Sequence, residues 1–376
     1  MQKAFLILIW IILLIWLPLR TSAQNKLAAQ LDSFMQTKVA TQHFNGNVLV
    51  AKSGKVVYQK AFGYRNYTTK EPLTNNSVFE LASISKQFTA VGILLLVEKG
   101  KLKLSDTLRK FFPELPYPNI TIRHLLTHTS GLPDYMDMLK TWPTNQFASN
   151  QDVLAFLIKT KPASFFKPGE KWKYSNAAFV LLASIIEKIS GQPFPDYMNK
   201  NIFKPLRMQH TSIYNSRHSA GASMANYAYG YVYSERRDRY ILPDSLLSYG
   251  FVIPRDGIQG DGNVNATTAD LLKWDRALKN NSLLSTKTQQ QMLSPQVTVD
   301  PSSAMYLATK IKSYGYGIGV GTNKYGNYLW HGGNQPGYAT NLIQYVEEDI
   351  TIIVLSNNAS NVLEITEGLA GLMIAK

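Results

Sequence analysis

The order of apolar and polar residues predicts a helix and then a β-hairpin at the start of the chain. Residues 25–42 place apolar side chains at near-helical spacing, which is typical of an amphipathic helix. Residues 45–52 and residues 55–62 are rich in valine and aromatic side chains, and Ser53-Gly54 separates the two runs. Two such runs around a short turn that contains glycine favour an antiparallel hairpin.

The middle of the chain has a helical pattern, and strand character returns only near its end. Helices are predicted over residues 107–112, 121–129, 150–160, 176–189, 194–202, 267–279 and 285–293, with a surface hairpin within residues 227–240. Strands are predicted over residues 314–320, 328–331, 339–346 and 351–357, and a helix over residues 361–375 closes the chain.

This order of elements predicts an α/β protein of the α+β type, in which an antiparallel sheet is flanked by helices. A helical lobe of approximately residues 101–250 is expected to be inserted between strands of the sheet. Because the strands come from both ends of the chain, the two lobes should not be separable by proteolysis.

One buried helix carries the first candidate chemistry. Residues 91–97 are apolar and contain no proline, so a helix is expected to begin near Ser83. Ser83 and Lys86 are three residues apart and therefore share a face of that helix. A serine hydroxyl becomes a useful nucleophile when a neighbouring base removes its proton, and burial lowers the pKa of a lysine toward that role. The alternative is that Ser83 only caps the helix and that Lys86 is solvated.

Two later motifs strengthen the catalytic interpretation. Residues 174–176 read Tyr-Ser-Asn, and residues 331–333 read His-Gly-Gly. Together with Ser83 and Lys86, and in this order, they resemble the motifs of the serine β-lactamase and penicillin-binding-protein superfamily. The tyrosine of the second motif resembles the class C β-lactamases, the D-alanyl-D-alanine carboxypeptidases and the related esterases. The resemblance covers about residues 27–375 and includes residues 46–50, 125–132 and 260–262.

The resemblance implies a β-lactamase/transpeptidase-like fold and an acyl-enzyme on Ser83. Two proton arrangements stay open: a neutral Lys86 that acts directly as the base, or a charged Lys86 beside an ionised Tyr174. The resemblance also implies that Asn176 contacts the substrate amide and the lysine. Asparagine is equally common as a helix N-cap, so a capping role is the alternative for Asn176.

The third motif implies the substrate-binding strand. Gly333 allows a substrate backbone to approach closely, because no Cβ is in the way. The backbone N–H groups of Ser83 and Asn334 are expected to form the oxyanion hole.

At His331 the chain departs from the Lys-Thr-Gly form of that motif. A lysine there can meet a substrate carboxylate, whereas histidine is mostly neutral at pH 7.5 and Gly332 lacks a hydroxyl. We therefore predict weak β-lactam turnover and a preference for uncharged esters or amides. We also predict that turnover of carboxylate-bearing substrates improves as the pH falls toward 6. The alternative is that His331 packs at the strand end and that another cation, such as Lys173, binds the carboxylate.

The composition excludes several other classes of protein. The chain has no cysteine, so disulfides, a thiolate nucleophile and a cysteine-ligated zinc are excluded. His124 and His128 have the spacing of a metal-binding pair, but no glutamate adjoins His124, and a structural role is expected. Neither a metal nor a cofactor is predicted. The net charge of +14 comes without a dense basic block, which indicates a solubilising surface and no nucleic-acid partner.

The N-terminus predicts export. Lys3 precedes an apolar stretch over residues 4–17, Pro18 ends it, and residues 21–23 are small, so residues 1–23 are typical of a signal peptide. Residues 24–376 would then form the mature domain, without a stable membrane span. The alternative is an uncleaved N-terminal anchor.

The sequence therefore predicts a periplasmic or secreted serine hydrolase that acts on an amide or ester. Its substrate would be a small molecule or a peptide, such as a cell-wall fragment ending in D-Ala-D-Ala, a β-lactam or a small ester. The alternative is a non-catalytic penicillin-binding or muropeptide-sensing module. The intact set of Ser83, Lys86 and Tyr174 disfavours that alternative, because a pure binder does not need the base.

Overall fold

The structure is a computed structural model that describes residues 25–215, residue 217 and residues 224–374. The predicted signal peptide, residues 1–23, lies outside this part of the chain and remains a prediction. The strands of the described part are β1 Gly46–Lys52, β2 Lys55–Phe62, β3 Tyr64–Asn66, β4 Glu71–Pro72, β5 Phe79–Glu80, β6 Ser212–Ile213, β7 Val232–Ser234, β8 Arg239–Ile241, β9 Val264–Ala266, β10 Val297–Thr298, β11 Ser313–Tyr314, β12 Gly319–Asn323, β13 Gly326–Gln335, β14 Tyr338–Tyr345 and β15 Ile350–Ser356. Its helices are α1 (residues 25–42), α2 Ser85–Glu98, α3 Leu108–Phe111, α4 Ile122–Leu126, α5 Met136–Leu139, α6 Asn150–Thr160, α7 Asn176–Ser190, α8 Phe194–Met198, α9 Val252–Arg255, α10 Thr268–Lys279, α11 Thr286–Leu293, α12 Ala304–Thr309 and α13 Val362–Ile374.

Eight strands form one antiparallel sheet in the order β10-β11-β12-β13-β14-β15-β1-β2. Strand β1 lies between β15 and β2, with Val48 opposite Val354 on one side and Lys60 on the other. The early hairpin is therefore joined directly to the last strand of the chain. This arrangement confirms the prediction that the sheet needs both chain ends.

The sheet has an apolar core on each face. Successive residues of a strand point to opposite faces, so Leu49 and Ile353 pack with α2 on one side. Val48 and Val354 pack on the other side, with α1 and α13. Strands β14 and β15 are buried along their whole length. The predicted class, an antiparallel sheet flanked by helices, is confirmed.

Helix α2 runs through the larger core. Its residues from Ser85 to Leu96 are all buried, which explains why it is apolar around its whole circumference. It packs against α7, and a 3₁₀ turn over Ala82–Ile84 precedes it. Ser83 therefore lies on a tight turn at the start of a helix that the core holds in place.

A small sheet, which was not predicted from the sequence, holds the residues that precede this turn. It has the order β5-β9-β6, and each of its strands has only two or three residues, too few to show an alternating pattern. Phe79 and Glu80 pair with Ala266 and Asn265, and Leu81 N donates to Val264 O at 2.8 Å. These bonds hold the segment before Ser83 beside the loop that precedes β9.

Three predicted elements have different bounds in the structure. Helix α4 ends at Leu126, and His128 lies beyond it with a φ of 59°. The predicted strand 314–320 is two strands, β11 and β12, because the chain turns at Gly317 with a φ of 71°. Strand β13 begins at Gly326 and runs through the His-Gly-Gly motif to Gln335, so it continues past the predicted end at residue 331.

Helices α3 to α8 lie between β5 and β6 along the chain, where the helical insertion was expected. The boundaries of that lobe at residues 101 and 250 stay a prediction. In the described part of the chain, no single helix is long and apolar enough to cross a membrane. Helix α7 and the segment from Phe194 to Phe203 pass that test only as a pair, bent by 79°.

The central position of β15 generates a stability prediction. Ile353 is fully buried, so Ile353→Ala should lower the free energy of unfolding by about 2–5 kcal/mol. Val56→Ala on β2 is the matched control, because Val56 is 45% exposed and its loss should cost less than about 0.5 kcal/mol. Urea unfolding followed by circular dichroism measures both, and equal losses would contradict this description of the core.

Candidate active site

Ser83 is held on its turn by close contacts with β13 and β14. Thr340 Oγ1 on β14 donates to Leu81 O at 2.8 Å. Gly333 on β13 lies so close that a Cβ there would be 2.1 Å from Leu81 O. Ala82 takes a φ of 48°, a backbone conformation that side chains disfavour. The position of Ser83 therefore depends on a glycine at residue 333 and on a strained turn.

The Lys86 amine is the centre of the site. It is fully buried, and its Nζ lies 3.1 Å from Ser83 Oγ, 2.9 Å from Asn176 Oδ1 and 2.8 Å from Asp261 O. The two latter atoms only accept hydrogen bonds, whereas the Ser83 hydroxyl can also donate. A neutral amine has two hydrogens and one lone pair. It can satisfy this set with two donated bonds and one accepted from Ser83, whereas an ammonium can satisfy it with three donated bonds, so these contacts fit both forms.

The burial of the amine favours the neutral form. Burial lowers the pKa of the Lys86 amine to about 7; the Asp261 carboxylate opposes this shift, and Arg255 adds to it. Near neutral pH a large fraction of Lys86 is then unprotonated and able to accept the Ser83 proton.

Tyr174 lies on the same site but is a much weaker candidate for the base. The Lys86 Nζ is 4.9 Å from the centroid of the Tyr174 ring. Its hydroxyl is buried and lies near the Ser83 hydroxyl. Burial raises the pKa of the phenol, and the nearby Ser83 hydroxyl opposes that shift only in part. Of the two open proton arrangements, the geometry therefore favours neutral Lys86 beside a protonated Tyr174.

Asn176 does not cap the helix that it begins. The cap of α7 is Ser175, whose Oγ accepts from Ala178 N at 3.2 Å. The Asn176 side chain is therefore free to accept from Lys86, and its Nδ2 lies 3.5 Å from Asp134 Oδ2. Ser175 therefore has the capping role, and Asn176 has the contact with the lysine.

A charged cluster behind Lys86 was missed as a functional feature. The Asp261 carboxylate accepts from Tyr135 Oη at 2.8 Å and pairs with Arg255 at 3.3 Å. Arg255 also donates to Gln335 Oε1 at 3.2 Å, which ties the end of β13 to the loop that accepts from Lys86. The Gly-Asp-Gly motif at residues 260–262 was the available signal, but no contact could be assigned to it from sequence.

His331 differs most from its prediction. It lies within β13, and its side chain is 2% exposed. Its Nδ1 lies 2.7 Å from Gly332 O, a pure acceptor, so Nδ1 carries the proton and Nε2 accepts from Tyr314 Oη at 3.0 Å. Burial and the nearby Lys86 charge lower the pKa of His331 to about 3. The structure therefore gives no support from His331 for the expected gain in carboxylate turnover near pH 6, which stays a prediction.

The alternative cation, Lys173, is also placed away from the site. It is exposed, and its Nζ lies 3.9 Å above the Phe165 ring. His124 and His128 do not form a pair either. The His124 Nδ1 accepts from Thr121 N, and the His128 Nδ1 accepts from Ser175 N, so both side chains have structural partners.

A cavity of about 630 Å³ opens on Ser83. Five predicted site residues line it: Ser83, Tyr174, His331, Gly333 and Asn334. Lys86 and Asn176 lie behind Ser83 and are not part of its wall. The described residues of the wall include no lysine, arginine, aspartate or glutamate, and His331 is neutral. The cavity therefore offers no full charge to a substrate.

This fold and these motifs define a known class of protein. The sequence model of the Beta-lactamase family matches residues 31–369, and the chain belongs to that family. It is 42% identical to penicillin-binding protein 4* of Bacillus subtilis (strain 168), over 89% of this chain and 72% of the relative.

Solved structures agree with this assignment. A penicillin-binding protein from Bacillus halodurans has a TM-score of 0.78 at 27% identity and covers 90% of this chain and 98% of its own. The D-amino acid amidase from Ochrobactrum anthropi SV3, complexed with L-phenylalanine amide, has a TM-score of 0.76, with coverage of 93% and 98%. At 23% identity the amidase shows the fold alone. The predicted β-lactamase/transpeptidase-like fold is confirmed.

The position of Lys86 generates a pH prediction. If neutral Lys86 accepts the Ser83 proton, the rate of labelling by a fluorophosphonate should rise with pH with a midpoint near 7, the value to which burial lowers the Lys86 pKa. The rate is measured by intact mass over time between pH 5 and 10. A midpoint above about 9 would instead indicate that Tyr174 is the base.

A matched pair of variants tests the cause of that midpoint. Asp261→Asn removes the larger of the two carboxylate effects that raise the Lys86 pKa, while Arg255 still lowers it, so the midpoint should move to lower pH. Asp137→Asn removes an exposed carboxylate on α5 and should leave the midpoint unchanged. Thermal unfolding of both variants checks that they fold, and a midpoint that rises in Asp261→Asn would contradict the electrostatic account.

Proposed function

We propose that this protein is an exported serine hydrolase that forms an acyl-enzyme on Ser83. The observation that carries the proposal is the hydrogen bonding of the buried Lys86 amine, which has two pure acceptors and the Ser83 hydroxyl around it. A lysine with this surrounding and a pKa of about 7 is suited to take the proton of the nucleophile.

In the proposed first step, Ser83 Oγ bonds to the substrate carbonyl carbon while its proton moves to Lys86. The oxyanion would be bound by the N–H groups of Ser83 and Asn334. Gln335 and Tyr338 form the last pair of the hairpin between β13 and β14. The N–H groups of successive residues in a strand point to opposite edges of the strand. The N–H group of Gln335 points to β14, so the N–H group of Asn334 points to the other edge, on the cavity side.

In the second step the bond to the leaving group breaks, and the proton held by Lys86 is returned to that group, with the Tyr174 hydroxyl as the relay. Its buried position next to the Ser83 hydroxyl suits a group that donates and accepts in turn. Water then attacks the carbonyl carbon of the ester on Ser83 and gives a proton to Lys86. The bond between that carbon and Ser83 Oγ breaks as this proton returns to Ser83, and the acid is released. The whole reaction consumes one water for each amide or ester bond.

We propose an uncharged ester or amide as the preferred substrate over a β-lactam or a peptide ending in D-Ala-D-Ala. The wall of the cavity carries no full charge in its described residues, and the neutral His331 has both ring nitrogens in hydrogen bonds. A substrate carboxylate would therefore lose hydration without gaining a charged partner. Slow acylation by penicillins, without efficient turnover, is the second candidate, and it is suggested by the name of the Bacillus subtilis relative.

We propose a periplasmic or secreted location, on the signal-peptide pattern of residues 1–23. The partner there would be a small-molecule or peptide substrate, such as a cell-wall fragment. A non-catalytic sensing module is disfavoured, because a binder gains nothing from a lysine whose burial is costly.

The first functional prediction concerns the covalent site. A fluorophosphonate should add one label to the native protein, and peptide mapping should place it on Ser83. Ser83→Ala should lose the label and remain folded. Ser130→Ala is the control, because Ser130 is buried and its Oγ only accepts from Leu132 N. A label that persists in Ser83→Ala would contradict the assignment of Ser83 as the covalent site.

The second functional prediction is that Lys86 and Tyr174 act as one unit. Lys86→Ala and Tyr174→Phe should each reduce the acylation rate strongly, and the double variant should be little worse than Lys86→Ala, because groups in one proton-transfer network are not additive. Hydrolysis of 4-nitrophenyl acetate measures all four proteins. Two losses that simply multiply in the double variant would refute a shared network.

A further inference from the structure

Glu80 is a buried carboxylate that the proposed mechanism does not use. It lies on β5, three residues before Ser83, and is 3% exposed. Its backbone pairs with Asn265 of β9, so the small sheet fixes its position. A buried charge is costly unless it has partners, and Glu80 forms no ion pair with the lysines, arginines and histidines that the structure describes. Other polar groups must therefore account for this carboxylate.

Glu80 lines a small polar cavity at the end of β13. The cavity has a volume of about 20 Å³, which is room for a single water molecule. Its wall also includes Arg217, Arg255, Asp256 and Gln335. Glu80 therefore shares this site with the last residue of the strand that carries the third motif.

Each arginine of this cavity already has a carboxylate partner. Arg217 Nη1 lies 3.7 Å from Asp256 Oδ1, and Arg255 Nη2 lies 3.3 Å from Asp261 Oδ2. Burial raises the pKa of Glu80 to about 6; the two arginines oppose this shift, and Asp256 adds to it. Glu80 is therefore mostly charged at neutral pH and mostly neutral at pH 5.

Gln335 connects Glu80 to the substrate-binding strand. Its side-chain amide acts as a hydrogen-bond donor that favours the charged form of Glu80. Its Oε1 accepts from Arg255 Nη1 at 3.2 Å, so both ends of the amide have partners. Gln335 ends β13 and directly follows Asn334, whose N–H is proposed for the oxyanion hole. A shift of Gln335 would therefore move that N–H.

We propose that the Glu80 carboxylate is a positioning residue, which holds the end of β13 in its catalytic position through Gln335. This inference rests on the proposed function, because it needs an oxyanion hole formed by Ser83 and Asn334. A hydrogen bond to a charged acceptor is roughly twice as strong as one to a neutral acceptor, so loss of the charge should lower the acylation rate about fivefold to tenfold.

The test compares the native protein with Glu80→Gln, which keeps the shape of the side chain but carries no charge at any pH. Acylation by a fluorophosphonate is measured by intact mass over time between pH 5 and pH 8.5. Lys86 titrates in this range, but the charges that shift its pKa are those of Asp261, Arg255 and Asp134. The ratio of the native rate to the variant rate therefore cancels the titration of Lys86.

That ratio should be about five to ten at pH 8 and fall toward one at pH 5, with a midpoint near 6, the pKa of Glu80. Tyr338 also lies near Glu80, but burial raises the pKa of its phenol, so it stays neutral over this range. A ratio that is the same at every pH would overturn the proposal, because a purely structural role would be lost equally at pH 5 and at pH 8.

A matched control separates positioning from stability. Asp275→Asn removes a carboxylate that is also 3% exposed, but that pairs with Arg276 on α10 and does not line the cavity. Thermal unfolding should show a loss of stability in this variant, whereas its acylation rate should match the native rate at every pH. A pH-dependent ratio in Asp275→Asn that equals the ratio in Glu80→Gln would overturn the proposal.

The route through Gln335 has a separate test. Gln335→Ala should itself lower the acylation rate at pH 8 and lose this effect toward pH 5, so the proposal can be tested even if Glu80→Gln does not fold. In the Gln335→Ala background, Glu80→Gln should change the rate by less than about twofold, because the link is already absent. An equal loss from Glu80→Gln in both backgrounds would overturn the proposal.

Failure of this inference can be told apart from failure of the proposed function. A native protein that is not labelled at Ser83 would refute the proposed function and the role of Glu80 with it. A protein that is labelled at Ser83, with a rate ratio that does not change with pH, would refute the role of Glu80 alone.

Discussion

The buried amine of Lys86 is the interaction on which the rest of the site depends. Lowering its pKa from 10.5 to about 7 corresponds to roughly 5 kcal/mol of lost preference for the charged form. Burial causes this shift, and oxygens from three separate segments hold the amine in place: the Ser83 turn, the first residue of α7 and the backbone of Asp261. Arg255 ties the last of these to the end of β13. Helix, loop and sheet edge are therefore held as one unit around a single proton acceptor.

The neutral character of Lys86 extends to the cavity in front of it. His331 is locked as one tautomer between Tyr314 and Gly332, and the Trp330 indole fills the space beside Gly332. An uncharged cavity wall next to a partly neutral lysine is the basis of the proposed preference for substrates without a carboxylate. The catalytic motifs alone fit several reactions.

Much of this arrangement could be predicted from sequence, and the reason differs from one part to another. The hairpin β1–β2 and the helices α6 and α7 have strong periodicity and end where expected, α7 at Gly191 with a φ of 67°. Ser83, Lys86, Tyr174 and Asn176 could be assigned to one site because each belongs to a short motif that is recognisable in the sequence. The state of His331 could not be predicted, because it depends on Tyr314 from a neighbouring segment of the sheet. The small sheet β5-β9-β6 and the role of Asp261 likewise depend on contacts between distant segments.

The central claim is that the Lys86 amine changes from the charged to the neutral form near pH 7. Nitrogen-15 NMR of the lysine side chains, with the Lys86 signal assigned by its absence in Lys86→Arg, measures this directly in the unmodified protein. The account predicts a titration of that signal with a midpoint near pH 7. A signal that remains that of an ammonium group up to about pH 9 would contradict it, because Lys86 could then not be the base for Ser83.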